Sequence, residues 1–176
     1  GAAYTRRVFE RVGYVDESFD ACEDVEFNWR VERGGFASYT SPRLMVKYYP
    51  RESLSGLWRQ MVRYGRGRVR LARKHPASFG LSTAVPACVF AFFALYALAF
   101  AVWALSAGAA FGAIPGVLSV PAALYALAVL GESARIAARH GTAHMARLPL
   151  VFAAVHLGLG AGMWLELFAR PSGRRP

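Results

Sequence analysis

A chain of 176 residues is long enough for one soluble domain, but its composition excludes an ordinary one: 55% of the residues are hydrophobic and residues 81–130 contain no charge. The net charge of +10 is concentrated in one place, since residues 59–74 hold seven Lys/Arg and no acid, whereas residues 1–58 come to −1. A basic block beside an apolar run belongs at an anionic membrane surface rather than on nucleic acid.

Residues 4–13 are predicted to form a short helix with Val8, Phe9 and Val12 on one face, closed by Gly13. Residues 16–20 form an acidic loop with Phe19 as its anchor. Glu23 and Asp24 then open an amphipathic helix over 23–33, where the helix dipole favours negative charge. Phe27 and Val31 lie at i, i+4 towards a core, and Gly34-Gly35 stops the helix. A carboxylate pair at a helix start either caps the helix or serves as a general base; taken alone, capping is the commoner role. Cys22 has no histidine near it in sequence, so it reads as a small buried residue. Together with Cys88 it makes too few cysteines for a disulfide framework, and no metal-ligand spacing occurs. Residues 36–39 and 44–48 read as short strands around the Ser41-Pro42 turn.

Ser53 caps a helix expected over 54–74. Leu54, Leu57, Trp58, Met61, Val62, Val69 and Ala72 repeat at helical spacing, while Arg59, Arg63, Arg66, Arg70 and Arg73 form one stripe. Such a helix lies in the membrane interface with its arginines at the phosphates; the alternative is a helix packed on the soluble part with solvated arginines. Gly65 and Gly67 weaken its middle, where a break is expected.

Three apolar segments follow at 83–105, 109–130 and 148–168, each long enough to span a bilayer core of ~30 Å. The positive-inside rule places residues 59–74 and 135–147 in the cytoplasm and the 107–112 turn outside. Three full spans would put Arg170, Arg174 and Arg175 outside, so either that tail is tolerated or the third segment stops short of crossing. Glu166 stands near the end of that segment and can reach the interface. His156 is central and calls for an interhelical hydrogen bond or a contact with a lipid-phosphate acceptor; the former is the commoner. Gly158, Gly160 and Gly162 offer a small-residue packing face.

Several pieces in a fixed order resemble the C-terminal part of a family 2 (GT-A type) membrane-associated glycosyltransferase of the bacterial exopolysaccharide and succinoglycan type. They are Arg7-Val8-Phe9-Glu10-Arg11-Val12-Gly13, Asp16-Glu17-Ser18-Phe19, the acidic motif Glu23-Asp24-Val25-Glu26, Pro50-Arg51-Glu52-Ser53-Leu54, and Gln60-x-x-Arg63-Tyr64. Tyr64 stands where many processive members carry Trp, and the half with the nucleotide-binding strands and Asp-x-Asp motif is not in this sequence. The resemblance implies a partial GT-A-like α/β domain over 1–52 and an interfacial helix over 53–76. An all-α transmembrane bundle over 83–170 completes the expected organisation.

It also implies transfer of a sugar from a nucleotide sugar to a lipid-linked saccharide acceptor. On this reading Asp24 is the base, Glu23 its support, and Gln60, Arg63 and Tyr64 bind the acceptor or the departing diphosphate. A divalent metal, Mg or Mn, is expected in the complete enzyme with its ligands outside this chain, and the isolated part is expected to be inactive. The expected place is the cell inner (plasma) membrane, multi-pass, with the catalytic part cytoplasmic. The expected partners are nucleotide sugar, acceptor and membrane lipid, and no nucleic acid. Two alternatives stay open. An acid/base pair for hydrolysis can be drawn from Asp16, Glu17, Asp20, Glu23 and Asp24. The chain can also be a non-catalytic membrane anchor and assembly module of a polysaccharide export complex.

Overall fold

The structure, a computed structural model, describes residues 2–43, 45–106 and 114–169. Six α-helices run in order: α1 (Arg6–Val12), α2 (Glu23–Arg33), α3 (Leu54–Lys74), α4 (Leu81–Leu105), α5 (Ile114–His140) and α6 (Leu148–Phe168). Single 3₁₀ turns lie at Pro76–Ser78 and Thr142–His144. The expected bounds of α2 and α3 are met, while α5 runs ten residues past the end predicted for its apolar segment. The expected 107–112 turn and Arg170, Arg174 and Arg175 lie outside the described residues.

The expected α/β class is wrong for this chain: the described residues are all-α and contain no strand. Residues 36–39 and 45–48 are without regular structure, and Leu44 lies outside the described residues. Tyr39 and Met45 are almost fully exposed, at 87% and 88%. The physical reason is that β-propensity is realised only against a partner strand, and one isolated short hairpin is marginal in water. Phe36 packs on the core of α1 and α2, but Tyr39 and residues 45–48 are exposed.

The polar end of the molecule has a small core. Val8 of α1 meets Phe27 and Val31 of α2, with Tyr4, Phe9, Val12 and Phe36 packed around them. Phe27 is 1% exposed, and its ring stacks on Phe9 and meets Tyr4 edge-on. Burying a side chain of this size stabilises by about 1.5–3 kcal/mol. Arg30 ties the two helices further by donating to the carbonyls of Val12 and Tyr14.

α3 is one unbroken helix despite Gly65 and Gly67, started by Ser53, whose Oγ accepts from Gly56 N–H at 3.1 Å. The two glycines are contact points instead of breaks. A Cβ on Gly65 would stand 2.1 Å from Leu159 O of α6, and one on Gly162 would stand 2.1 Å from Val62 O of α3. The two helices therefore touch backbone to backbone, which only glycine permits. Gly160 makes the same kind of approach to α4, where a Cβ would lie 2.2 Å from Pro86 O. The small-residue face read from the sequence is thus used against two neighbours.

α4, α5 and α6 are each long and apolar enough to cross a membrane. α4 has no buried residue, and Leu95, Leu98 and Phe100 are exposed. An apolar helix that leaves this much of its surface exposed is stable only in lipid, so these are the features of a membrane protein. His156 on α6 does make an interhelical bond: its Nδ1 lies 2.8 Å from the Tyr125 hydroxyl of α5.

Candidate active site

The first residues of α2 are held against α3. Cys22, which precedes the acidic pair, is 6% exposed and takes a left-handed conformation, φ 68°, instead of the extended one usual at a helix start. For a side chain other than glycine that conformation is strained, and it persists where surrounding contacts impose it. Here they do. The Cys22 thiol donates to Tyr64 O at 3.6 Å, and a Cβ on Gly67 would meet Ala21 O at 2.4 Å and Cys22 Sγ at 2.8 Å. Glu23 and Asp24 follow at once, and both are exposed. Asp24 Oδ1 accepts from Val25 N–H at 2.8 Å.

The Gln60-x-x-Arg63-Tyr64 motif splits into two pairs. Gln60 Nε2 donates to the Tyr64 hydroxyl at 2.8 Å. Arg63 turns to Asp20: Nη2 donates to Asp20 Oδ1 at 3.0 Å and to its carbonyl at 2.6 Å, and Nε donates to Oδ2 at 3.1 Å. These hydrogen bonds hold the Asp20 carboxyl below its usual range and raise Arg63, to which the nearby Glu23 charge also contributes. Asp20, in the loop before α2, was read from the sequence as one of five acids that could supply a hydrolytic pair, not as a partner of Arg63.

Glu26, the last acid of the motif, is the buried one, at 0% exposed. Arg30 Nε and Nη2 donate to it at 2.9–3.1 Å, Lys74 Nζ at 2.7 Å, and His75 Nε2 lies 2.8 Å from Oε1. Burial alone pushes this carboxyl up; the hydrogen bonds from Arg30, Lys74 and His75 outweigh it and hold the group at about 2. Trp29 stacks on His75 at 4.1 Å, and Lys74 also reaches Asp16 Oδ2 at 2.5 Å. Glu26 therefore fastens α2 to the end of α3. The i, i+4 spacing of Glu26 and Arg30 was visible in the sequence; the partners 48 and 49 residues away were not.

No protein-family model matches the chain, and no solved structure matches it. Curated relatives do. Over 163 residues it is 31% identical to the succinoglycan biosynthesis protein ExoA of Rhizobium meliloti (strain 1021), which covers 90% of this chain and 44% of that protein. Over 70 residues it is 31% identical to a dolichyl N-acetyl-alpha-D-glucosaminyl phosphate 3-beta-D-2,3-diacetamido-2,3-dideoxy-beta-D-glucuronosyltransferase of Methanococcus voltae, covering 40% of this chain and 22% of that protein. The chain is glycosyltransferase-like in sequence over the stretches these relatives cover. It spans less than half the length of these relatives.

The described residues of this glycosyltransferase-like chain contain no group of three or more His, Cys, Asp or Glu able to hold a metal. Asp16, Asp20 and Glu26 are taken by Lys74, by Arg63, and by Arg30, Lys74 and His75. A divalent ion does not fit this carboxylate set.

The arginine stripe also differs from expectation. Arg66 Nε donates to Glu166 Oε2 at 2.9 Å and Arg70 Nε to Oε1 at 2.9 Å; Arg73 Nη2 donates to the carbonyls of Glu166 and Leu167 at 2.9 and 3.1 Å. Glu166 is 6% exposed, and four arginines of the stripe meet protein carboxylates. A carboxylate in an apolar helix needs a countercharge, and α3 supplies it.

Proposed function

We propose that this chain is the acceptor-side, membrane-embedded part of a glycosyltransferase that moves a sugar from a nucleotide sugar to a lipid-linked saccharide in cell-surface polysaccharide synthesis. The observation that supports the reading is the anchoring of the step before the acidic pair on α3, where Cys22 bonds to Tyr64 O and packs on Gly67. The similarity to ExoA over nearly the whole chain supports it.

In the reaction the acceptor hydroxyl oxygen bonds to the anomeric carbon as the bond to the nucleoside diphosphate breaks. The hydroxyl proton passes to the Asp24 carboxylate, and the diphosphate leaves with the bonding pair. Arg63 stands close enough to Glu23 to share its field, and its exposed pair with Asp20 is weak enough to exchange for a phosphate. The basic block of α3 supports a cytoplasmic position for this machinery in a multi-pass inner membrane protein.

The test is Asp24→Asn in the intact enzyme, with turnover and thermal stability measured on one preparation. Asparagine keeps the oxygen that accepts from Val25 N–H and caps as well as aspartate, so stability should hold. Turnover should fall by ~10²–10⁴, the usual loss for a general base, and by less in Glu23→Gln. Wild-type turnover in Asp24→Asn would reject the assignment.

A further inference from the structure

An apolar groove of about 410 Å³ opens between α3, α4 and α6, at the α3 end of the two membrane helices. Its walls include Val69, Ala84, Ala87, Ala91 and Trp164, and Arg73 is its charged lining residue. The volume is that of a small-ligand site. Two features keep it open. Alanines and Cys88 line the α4 side, so no large side chain of that helix fills it. The Trp164 indole is pinned by donating to Ala87 O at 2.9 Å and by stacking on Phe168, so the far wall is fixed.

Arg73, on the groove wall, belongs to a cationic cluster. Arg66, Arg70 and Arg73 converge on Glu166, three guanidinium groups against one carboxylate, which leaves two positive charges. The three heads stay 30–43% exposed, so each has donors left for a ligand. An occupant matched to this shape has one narrow apolar chain and a headgroup with about two negative charges. A phosphomonoester or a diphosphate has that charge; the diester of a bilayer phospholipid has one negative charge at the phosphate and two chains to house.

We infer that the groove holds the apolar chain of a single-chain lipid phosphate, its phosphate resting against Arg66, Arg70 and Arg73. The assignment rests on the reading that the acceptor is lipid-linked, and gives that acceptor a place. Arg63 lies one helical turn from Arg66, ~4.5 Å along the axis, so a sugar carried on the phosphate points to Asp20 and the acidic pair.

Cys88 lines the groove and is exposed, whereas Cys22 is buried, so the molecule carries its own reporter. The protein in phosphatidylcholine nanodiscs is treated with maleimide, and modification of Cys88 is read by peptide mass spectrometry. Farnesyl phosphate should slow Cys88 modification about tenfold or more, while farnesol and inorganic phosphate at the same concentration should not. Arg73→Gln should raise the farnesyl phosphate concentration for half-protection about tenfold. Equal protection by phosphatidylglycerol overturns the proposal in favour of an ordinary membrane lipid. Equal protection by farnesol removes the headgroup site, and no protection removes the groove site. If Arg73→Gln fails to fold, the comparison of ligands on the wild type decides. The assay involves no sugar transfer: protection in an enzyme without transfer activity rejects the proposed function alone, and transfer without protection rejects the groove alone.

Discussion

Two buried carboxylates fasten the same helix from opposite parts of the molecule. Glu26 joins α2 to the end of α3 through Lys74 and His75, and Glu166 joins α6 to α3 through Arg66, Arg70 and Arg73. The charges look alike, but the packing beneath them does not. Under Glu166 lies a seam of glycines with backbone touching backbone; under Glu26 the contact with α3 is the Ala21–Cys22 step resting on Gly67. The apolar seam is held by close packing, with its ion cluster setting register. The acidic motif is held chiefly by charge.

The largest expected effect is a blow to the seam. Gly162→Leu forces a side chain to within 2.1 Å of Val62 O, a clash with backbone that cannot give way. It should destabilise the folded protein by about 3 kcal/mol or more, read as unfolding in mixed micelles. Gly116→Leu, where a side chain meets open space, should be nearly silent and serves as the control. Equal stability of the two variants would break the comparison.

The second effect sharpens it. Glu26→Gln leaves Arg30, Lys74 and His75 facing one another without their shared anion, at a cost of about 2 kcal/mol once partial exposure is discounted. Hydrogen exchange should rise in α2 and stay low along α3 and α6. Glu166→Gln should cost about 1 kcal/mol, because the glycine seam remains. Acid gives the same test without mutation. The Glu26 carboxyl is held at about 2 against an ordinary 4.5, so its contribution is complete above pH 4.5 and is lost as pH falls towards 2. Protection of α2 should decline over that window and should decline less in Glu26→Gln, where the depressed carboxyls of Asp16 and Asp20 remain to titrate near α2.

The smallest effect separates binding from stability. The Asp20–Arg63 pair is more than half exposed on both sides, so Asp20→Asn should change stability by less than about 1 kcal/mol. If Arg63 meets phosphate during turnover, freeing it from Asp20 should alter KM for the acceptor more than thermal stability. An unchanged KM together with a large stability loss would make the pair purely structural.

Much of this fold was legible locally. The bounds of α2 and α3 follow from periodicity, capping by Ser53 and the Gly34-Gly35 stop, all properties of neighbouring residues. The three apolar helices follow from length and hydropathy. The strands at 36–39 and 44–48 failed because a strand is a relation between two segments, and β-propensity describes one. The site divides along the same line. Glu23, Asp24, Gln60, Arg63 and Tyr64 could be named from order and spacing. The partnership of Asp20 with Arg63 across 43 residues, and that of Glu166 with Arg66 across 100, leaves no periodic trace. Gly65 and Gly67 read as weak points because propensity scores a glycine in an isolated helix, without the neighbour that needs its bare backbone.

Those two glycines also set an angle. Residues two apart on a helix point ~200° away from one another, so Gly65 offers bare backbone to α6 while Gly67 offers it to Cys22 on nearly the opposite side. α3 therefore acts as an axle one helix thick, with the acidic pair fixed in rotational phase to the membrane. One residue inserted after Arg66 would turn the second contact by ~100° about the axle and move it only ~1.5 Å along it. The acidic pair would keep its height above the bilayer and face the wrong way.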